Sequence, residues 1–454
     1  MPVTSPTTAP PATHLISRPP PALAAGLLLV ILVVAFESSA VGTVMPRIAA
    51  DLGGLQLYGW ASSAFMLASL LGAMLTGLLT DRRGVAWGAA FSLALFGLGL
   101  LVLGLAASMP VVIAGRLIEG VGVGGLNALP FVVISAAYRD EAKARMLAAV
   151  SSMWLVPGLV GPLLASVLTA QFSWRAVPWS LVGLLVLAAP LCLHPLRSLP
   201  PLATGGSQKR ILWPTLGLMV AFTALIEGLR RPDALGIPVA LAGLMGLGLS
   251  ARPLFPRGLW SLRPGLPASL ALRGFAAFAL MGQGSFVTLS LREVHHLPLA
   301  VVGLSISVGG LSWTLGAWLQ AHLEKTFGPA SRPARIRYGL LGITGGLLLT
   351  GLGMTGALPY PVIFLGGLIA GIGMGTAYNS NSLHAMSLVP PAQAGQLSSQ
   401  LANIEVLMVA LSAGISGALV TRIHPLEQAL TYVVIMNLVA SLIPWVAARR
   451  LAHR

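Results

Sequence analysis

RLIEGVGVGG, residues 116–125, and GLIAGIGMGT, residues 367–376, are near-copies standing 251 positions apart, each inside a long apolar stretch. EAKAR at 141–145 and PAQAG at 391–395 repeat the match at an offset of 250, each just before the next apolar stretch. Two independent matches at nearly one offset indicate a duplicated unit. In a membrane-embedded chain, that is the parallel repeat of two halves that rock about a central site.

Counting outward from the repeat, apolar runs fall at about 23–46, 58–80, 85–107, 111–137, 146–170 and 176–194, and again at about 268–291, 298–320, 336–356, 361–387, 395–420 and 428–448. Two more lie between the sets, 211–229 and a shorter 234–250 interrupted by Pro238. The shorter run reads as a fourteenth span or as a re-entrant or interfacial segment. The expected fold is an all-α polytopic membrane protein: two pseudo-symmetric six-helix bundles with a two-helix insert between them. The expected boundaries are a disordered Pro- and Thr-rich tail at 1–22, an N-terminal bundle at 23–194, a linker with the insert at 195–267, a C-terminal bundle at 268–448 and a short tail at 449–454. The first tail is not read as a signal peptide, because the apolar run after it is long enough to span and has no small-residue cleavage site.

Composition agrees with lipid as the main solvent. Of 454 residues, 56% are hydrophobic and 9% charged, against about 45–50% and about 25% in soluble domains, and the mean hydropathy is +0.86. Twelve acidic residues are too few to solvate a soluble protein of this size. The net charge of +15 could suggest nucleic acid, but the basic residues sit between apolar runs and not on one solvated face, so no nucleic-acid partner is expected. With the N-terminus inside, twenty of the 27 Lys and Arg residues, Arg273 counted among them, fall in cytoplasmic loops; Arg116 alone falls within a span. That bias places both termini in the cytoplasm.

Several chemistries are excluded by what the motifs lack. Gly120, Gly122 and Gly125 form GxGxxG, but inside an apolar helix with no preceding strand, so a dinucleotide site fails its context. Gly120 with Gly124, and Gly371 with Gly375, form GxxxG pairs that let helices approach closely. There is no GxxxxGK and no HExxH, and the single cysteine, Cys192, forms no internal disulfide and no cysteine-based metal site. The chain therefore reads as a non-enzyme with no cofactor, driven by an ion gradient or by a separate ATPase.

Glu37, Glu119 and Glu405 are the carboxylates within spans, where an ionised group is costly and marks a proton or ion pathway. Glu37 has no basic residue in its own helix and is followed by Ser38 and Ser39, which makes it the clearest unpaired charge. Arg116, one turn before Glu119, leaves that residue open between proton coupling and a structural ion pair. Glu405 lies about 160° around the helix from the Gln396, Gln400 and Asn403 stripe and is equally open. Trp154 and Trp313, mid-run, either stack on a flat substrate or pack against neighbouring helices. Gln283, Ser285, Thr288, Asn379, Asn381, Gln400 and Asn403 are the neutral polar candidates for a cavity. With Glu37 as its charge, that cavity would be weakly negative and would suit a neutral or cationic amphiphile.

Four stretches together resemble the major facilitator superfamily, in its fourteen-helix drug:proton antiporter branch, over nearly the whole chain after the tail. GLLTDRRG (77–84) is similar to the loop signature in which Asp81, Arg82, Arg83 and Gly84 would latch the outward-facing state, with Val85 and Ala86 where further basic residues are usual. GRLIEGVGVGG (115–125) is similar to the fourth-helix motif whose arginine is tied to proton movement, with Glu119 for the usual Gln. FESSAVGTVMPRIAADL (36–52) resembles the first-helix motif, with Glu37 for its Asp. PGLVGPLLAS (157–166) resembles the antiporter motif of the fifth helix: Gly161 and Pro162 match, Pro157 replaces a Gly, and the closing Gly pair is absent.

The resemblance implies proton-coupled efflux of lipophilic neutral or cationic compounds by alternating access. Glu37, Arg116, Glu119 and Glu405 would handle protons. Trp154, Gln283, Trp313, Asn379, Gln400 and Asn403 would contact substrate, and Pro157, Gly161 and Pro162 would flex with the loop signature. The implied partners are protons, a small molecule and the bilayer of the cell membrane, with the chain acting as a monomer. The alternatives are a transporter of a metabolite such as a sugar, amino acid, lipid or siderophore, or a non-transporting membrane sensor.

Overall fold

The structure, a computed structural model, describes residues 21–137, 146, 149–150, 152–197, 208–390 and 394–451. Most of the N-terminal tail, the 139–145 loop and most of the 195–210 linker lie outside the described residues. Among those described are fourteen α-helices and no strand. They are α1 (Pro21–Asp51), α2 (Tyr58–Arg83), α3 (Val85–Gly104), α4 (Met109–Ala137), α5 (Leu155–Gln171), α6 (Ala176–Leu196), α7 (Gln208–Arg230), α8 (Gly236–Ala251), α9 (Leu266–Glu293), α10 (Leu299–Phe327), α11 (Arg332–Met354), α12 (Pro361–Ser387), α13 (Ala394–Arg422) and α14 (Leu426–Arg449).

Twelve of these are long and apolar enough to cross a membrane, all but α5 and α8. At about 1.5 Å per residue, the 17 residues of α5 and the 16 of α8 fall short of a hydrocarbon core of about 30 Å. The expected 146–170 span is longer than α5, whereas α8 nearly matches the 234–250 run, which reads as a fourteenth span or as a re-entrant or interfacial segment. For α5 the reason is local. Pro157 has no N–H to donate back one turn, and a turn at Met153–Trp154 precedes the helix.

The packing repeats between halves. In the first, α1 packs on α5 and α6, α2 on α4, and α3 on α4 and α6; in the second, α9 packs on α13 and α14, α10 on α12, and α11 on α12 and α14. The two halves meet through α2 with α13 and through α5 with α10, two contacts that exchange under the same repeat. The α7–α8 hairpin lays α7 against both α2 and α13. There Phe222 meets Trp60 edge-on at 6.3 Å, and Phe222 and Ile226 close over Gly414. Large apolar side chains such as Val186, Ile237 and Leu341 remain exposed on the outer surface, as lipid-facing positions do.

One face of the bundle gathers the starts of α2 and α10 and the ends of α9 and α13; the other, the terminal face, holds the start of α9 and the end of α14. Hydrogen bonds tie the halves together toward the first of these. Tyr58 Oη donates to the Ser285 carbonyl (2.8 Å) and pairs with Thr288 Oγ1 (3.0 Å). Ser63 donates to Ala410 O, Thr421 to Gln56 O, Ser166 to Leu299 O and Ser307 to Leu159 O.

The duplicated GxxxG pairs do the same job in each half. A Cβ on Gly120 or Gly124 would collide with the Phe65 or Ser69 carbonyl of α2, and one on Gly371 or Gly375 with Ser312 or the Trp313 carbonyl of α10. Gly124→Val is therefore expected to cost about 1–3 kcal/mol through forced separation of α2 and α4, read as a lower thermal midpoint. Gly183→Ala, with nothing within 4 Å of the added carbon, should leave the midpoint unchanged.

Candidate functional site

Halfway along α1, Glu37 faces the first third of α4, where Arg116 and Glu119 stand one turn apart. Arg116 Nη1 donates both to Glu37 Oε1 and, at 2.9 Å, to Glu119 Oε2. Its guanidinium carbon lies 3.8 Å from the ring centroid of Phe65 on α2, a cation–π contact. Gly99 of α3 leaves no room for a Cβ against the Glu119 backbone, and this close approach fixes the α4 face that carries both charges.

Both carboxylate side chains are wholly buried and that of Arg116 is 8% exposed. Among the described residues, Glu37 Oε2, Glu119 Oε1 and Arg116 Nε have no hydrogen-bond partner. One guanidinium therefore faces two carboxylates in an apolar interior. Fully ionised, the triad carries one net negative charge; with one proton bound it is neutral. The expectation of Glu37 as an unpaired charge is overturned, because its cation comes from α4, a helix distant in sequence.

A second buried ion cluster lies in the other half, toward the terminal face. Arg273 on α9 reaches Glu405 on α13 through Nε (3.1 Å) and Nη2 (2.9 Å). It donates to Ser382 Oγ on α12 at 2.8 Å and also to Tyr378 Oη, which in turn donates to Glu405 Oε2 at 2.8 Å. Trp313 of α10 packs on Tyr378 with centroids 5.2 Å apart. Arg273, counted above with the loops, is thus two turns inside α9 and buried. Its place inside an apolar run was the signal available in the sequence. Tyr378 and Ser382 carried none.

The remaining candidates separate. Gln283 is fully buried and donates to the Leu347 carbonyl of α11 (2.9 Å), inside the C-terminal half and away from its partner half. Thr288 and the Ser285 carbonyl bind Tyr58 where the halves join, and Asn381 donates to Ser269 O on α9. Asn379, half-buried, bonds Gly375 O of its own helix. Gln400 and Asn403 are half-buried on α13, and Trp154 is exposed at the start of α5.

Pro157, Gly161 and Pro162 are buried where α5 wedges between α1 and α10: Gly161 faces Ser39, and Gly303 faces Pro162 and Thr43. Asp81, Arg82 and Arg83 are exposed before Gly84, whose φ is +92°. A matching turn joins α10 to α11 around Gly328 (φ +67°), where Glu324 pairs with Arg332 at 2.6 Å and with Arg335. This second turn was missed, although an acidic residue shortly before a glycine that starts a new helix occurs at both places.

A family model described as Major Facilitator Superfamily matches residues 27–413. The chain is 26% identical over 399 residues to a probable multidrug-efflux transporter of Mycobacterium tuberculosis, with 83% of each chain covered. It is 24% identical over 324 residues to the multidrug resistance protein MdtL of Escherichia coli, covering 66% of this chain and 79% of that one. The structure of an auto-inhibited peptide transporter of the POT family superposes with a TM-score of 0.68 over 96% of this chain and 98% of that one, at 15% identity, a likeness of fold.

Proposed function

The chain belongs to the Major Facilitator Superfamily, and on that footing we propose that it is a proton-coupled exporter of lipophilic neutral or cationic compounds, of the fourteen-helix drug:proton antiporter type. A transporter of this family moves small molecules across a membrane and is not an enzyme. The observation that carries the finer reading is the Glu37–Arg116–Glu119 triad: two buried carboxylates on one guanidinium are one proton short of neutrality. A proton can reach such a site where a bulky compound cannot.

The triad also joins α1 to α4. Protonating Glu37 turns its ion pair with Arg116 into a weaker hydrogen bond from the guanidinium to a neutral carboxyl, which loosens α1 from α4 while Glu119, on the same helix as Arg116, keeps the guanidinium in place. The halves then rock about the Gly- and Pro-bearing α5, whose neighbours on both sides are close-packed. In this reading the proton gradient is the only cofactor, the protein works as a monomer in the cell membrane, and both termini are cytoplasmic. The relatives described as multidrug-efflux and multidrug-resistance proteins support export as the direction.

The test is transport in proteoliposomes under an imposed pH gradient, with a cationic dye, a neutral drug and an anionic metabolite in parallel. Gradient-dependent movement of the dye or the drug is expected. Selective movement of the anion would overturn the substrate class, and movement indifferent to the gradient would overturn the coupling.

A further inference from the structure

Of the three carboxylates deep in spans, Glu37 and Glu119 are sealed, and Glu405 retains access. Its side chain is 16% exposed and that of its partner Arg273 is 10% exposed. The position of this pair is informative. On α10, Ser307 donates to Leu159 O of α5, and a Cβ on Gly310 would lie 4.0 Å from Gly158. One helical turn nearer the terminal face, each of these helices carries a tryptophan: Trp313 on α10 and Trp154 at the start of α5. Trp313 is the ring that packs on Tyr378, and Tyr378 is the residue that bonds both Arg273 and Glu405. The cluster therefore sits about one helical turn beyond this contact between α5 and α10, toward the terminal face.

We propose that Arg273, Glu405, Tyr378 and Trp313 form a substrate-recognition site for amphiphiles of zero net charge, neutral or zwitterionic, and that the Arg273–Glu405 pair sets this charge selectivity. The proposal rests on the exporter reading above and narrows its substrate class. The pair is matched one to one, unlike the triad. A monocation that takes Glu405 leaves Arg273 without its counter-ion, and a monoanion that takes Arg273 leaves Glu405 alone; either leaves an uncompensated charge in a poorly solvated site. A ligand with no net charge leaves the balance intact. If zwitterionic, it offers each partner a replacement. The Tyr378 and Trp313 rings supply faces for the flat apolar part of such a molecule, and Arg273 already stacks on Tyr378, its guanidinium carbon 3.6 Å from the ring centroid.

One xanthene scaffold in three charge states tests the idea: zwitterionic rhodamine B, cationic rhodamine 6G and anionic fluorescein. Binding to the full-length protein in nanodiscs is read by fluorescence polarisation with no pH gradient. The wild type is expected to bind the zwitterion at least about tenfold more tightly than either ion. Arg273→Gln should shift the preference to the cation and Glu405→Gln to the anion, while the double variant, with neither charge for the zwitterion to replace, should lose most of the wild type's preference for it. If a single variant proves unstable by thermal midpoint, the double variant, whose charge is balanced, carries the test. A wild type with no charge order, a wild type that prefers the cation, or variants that weaken all three dyes by one factor would overturn the proposal. Charge order without gradient-driven transport would sink the exporter reading alone; gradient-driven transport without charge order would sink this proposal alone.

Discussion

Glu37→Gln is expected to reduce pH-gradient-driven export to background while the protein still folds and inserts. The substitution keeps the shape and an oxygen acceptor for Arg116, and it removes the group whose protonation changes the tie between α1 and α4. It also leaves one guanidinium facing one carboxylate, so the site is neutral without a proton and has no need to take one up. Its thermal midpoint should equal or exceed that of the wild type, because the surplus buried negative charge is gone. Exchange of labelled for unlabelled compound with no gradient should persist, since alternation itself does not require the missing proton. Glu119→Gln should be milder: it removes a partner on the same helix as Arg116 and leaves the Glu37–Arg116 tie between α1 and α4 in place. Proteoliposome transport with and without a gradient separates these outcomes, and undiminished export by the Glu37 variant would take Glu37 out of the mechanism.

What the sequence discloses about this molecule depends on whether the relevant distance lies along a helix or between helices. Apolar runs of spanning length and the repeated GxxxG pairs are properties of single segments, so the helical plan and the close-packed faces of α4 and α12 are readable from them. The Arg116–Glu119 contact is readable for the same reason, since three residues is one turn. Glu37 and Arg116 are 79 positions apart, and Arg273 and Glu405 are 132 apart. Those contacts depend on which helices adjoin, and a single sequence read by itself carries no record of that. Gln283 shows the converse failure. A polar residue in an apolar run suggests a cavity, yet here it satisfies a backbone carbonyl inside its own bundle. The short α5 is a further case, because the apolar run continues upstream of it while Pro157 and the turn before it interrupt the helix.

Arg116→Gln is expected to have the largest effect on stability of any single substitution in the triad. It leaves Glu37 and Glu119 facing each other with no cation, in a site where neither side chain is exposed. Removing one partner of a buried ion pair costs about 3–5 kcal/mol, and here two carboxylates lose their counter-ion at once. Arg116→Lys should recover only part of this, because an ammonium is more strongly hydrated than a guanidinium and so costs more to bury. It also lacks the flat guanidinium face that lies on Phe65. The charge argument has a sharper consequence. Adding Glu37→Gln and Glu119→Gln to Arg116→Gln makes the site neutral, so the triple variant should regain most of the lost thermal stability and yet export nothing under a pH gradient. Fluorescence-detected size exclusion after a heating series gives the stability of each variant, and the proteoliposome assay gives its transport. If Arg116→Gln melts with the wild type, the ion triad does not hold α1 to α4. If the triple variant exports as the wild type does, proton coupling resides elsewhere in the chain.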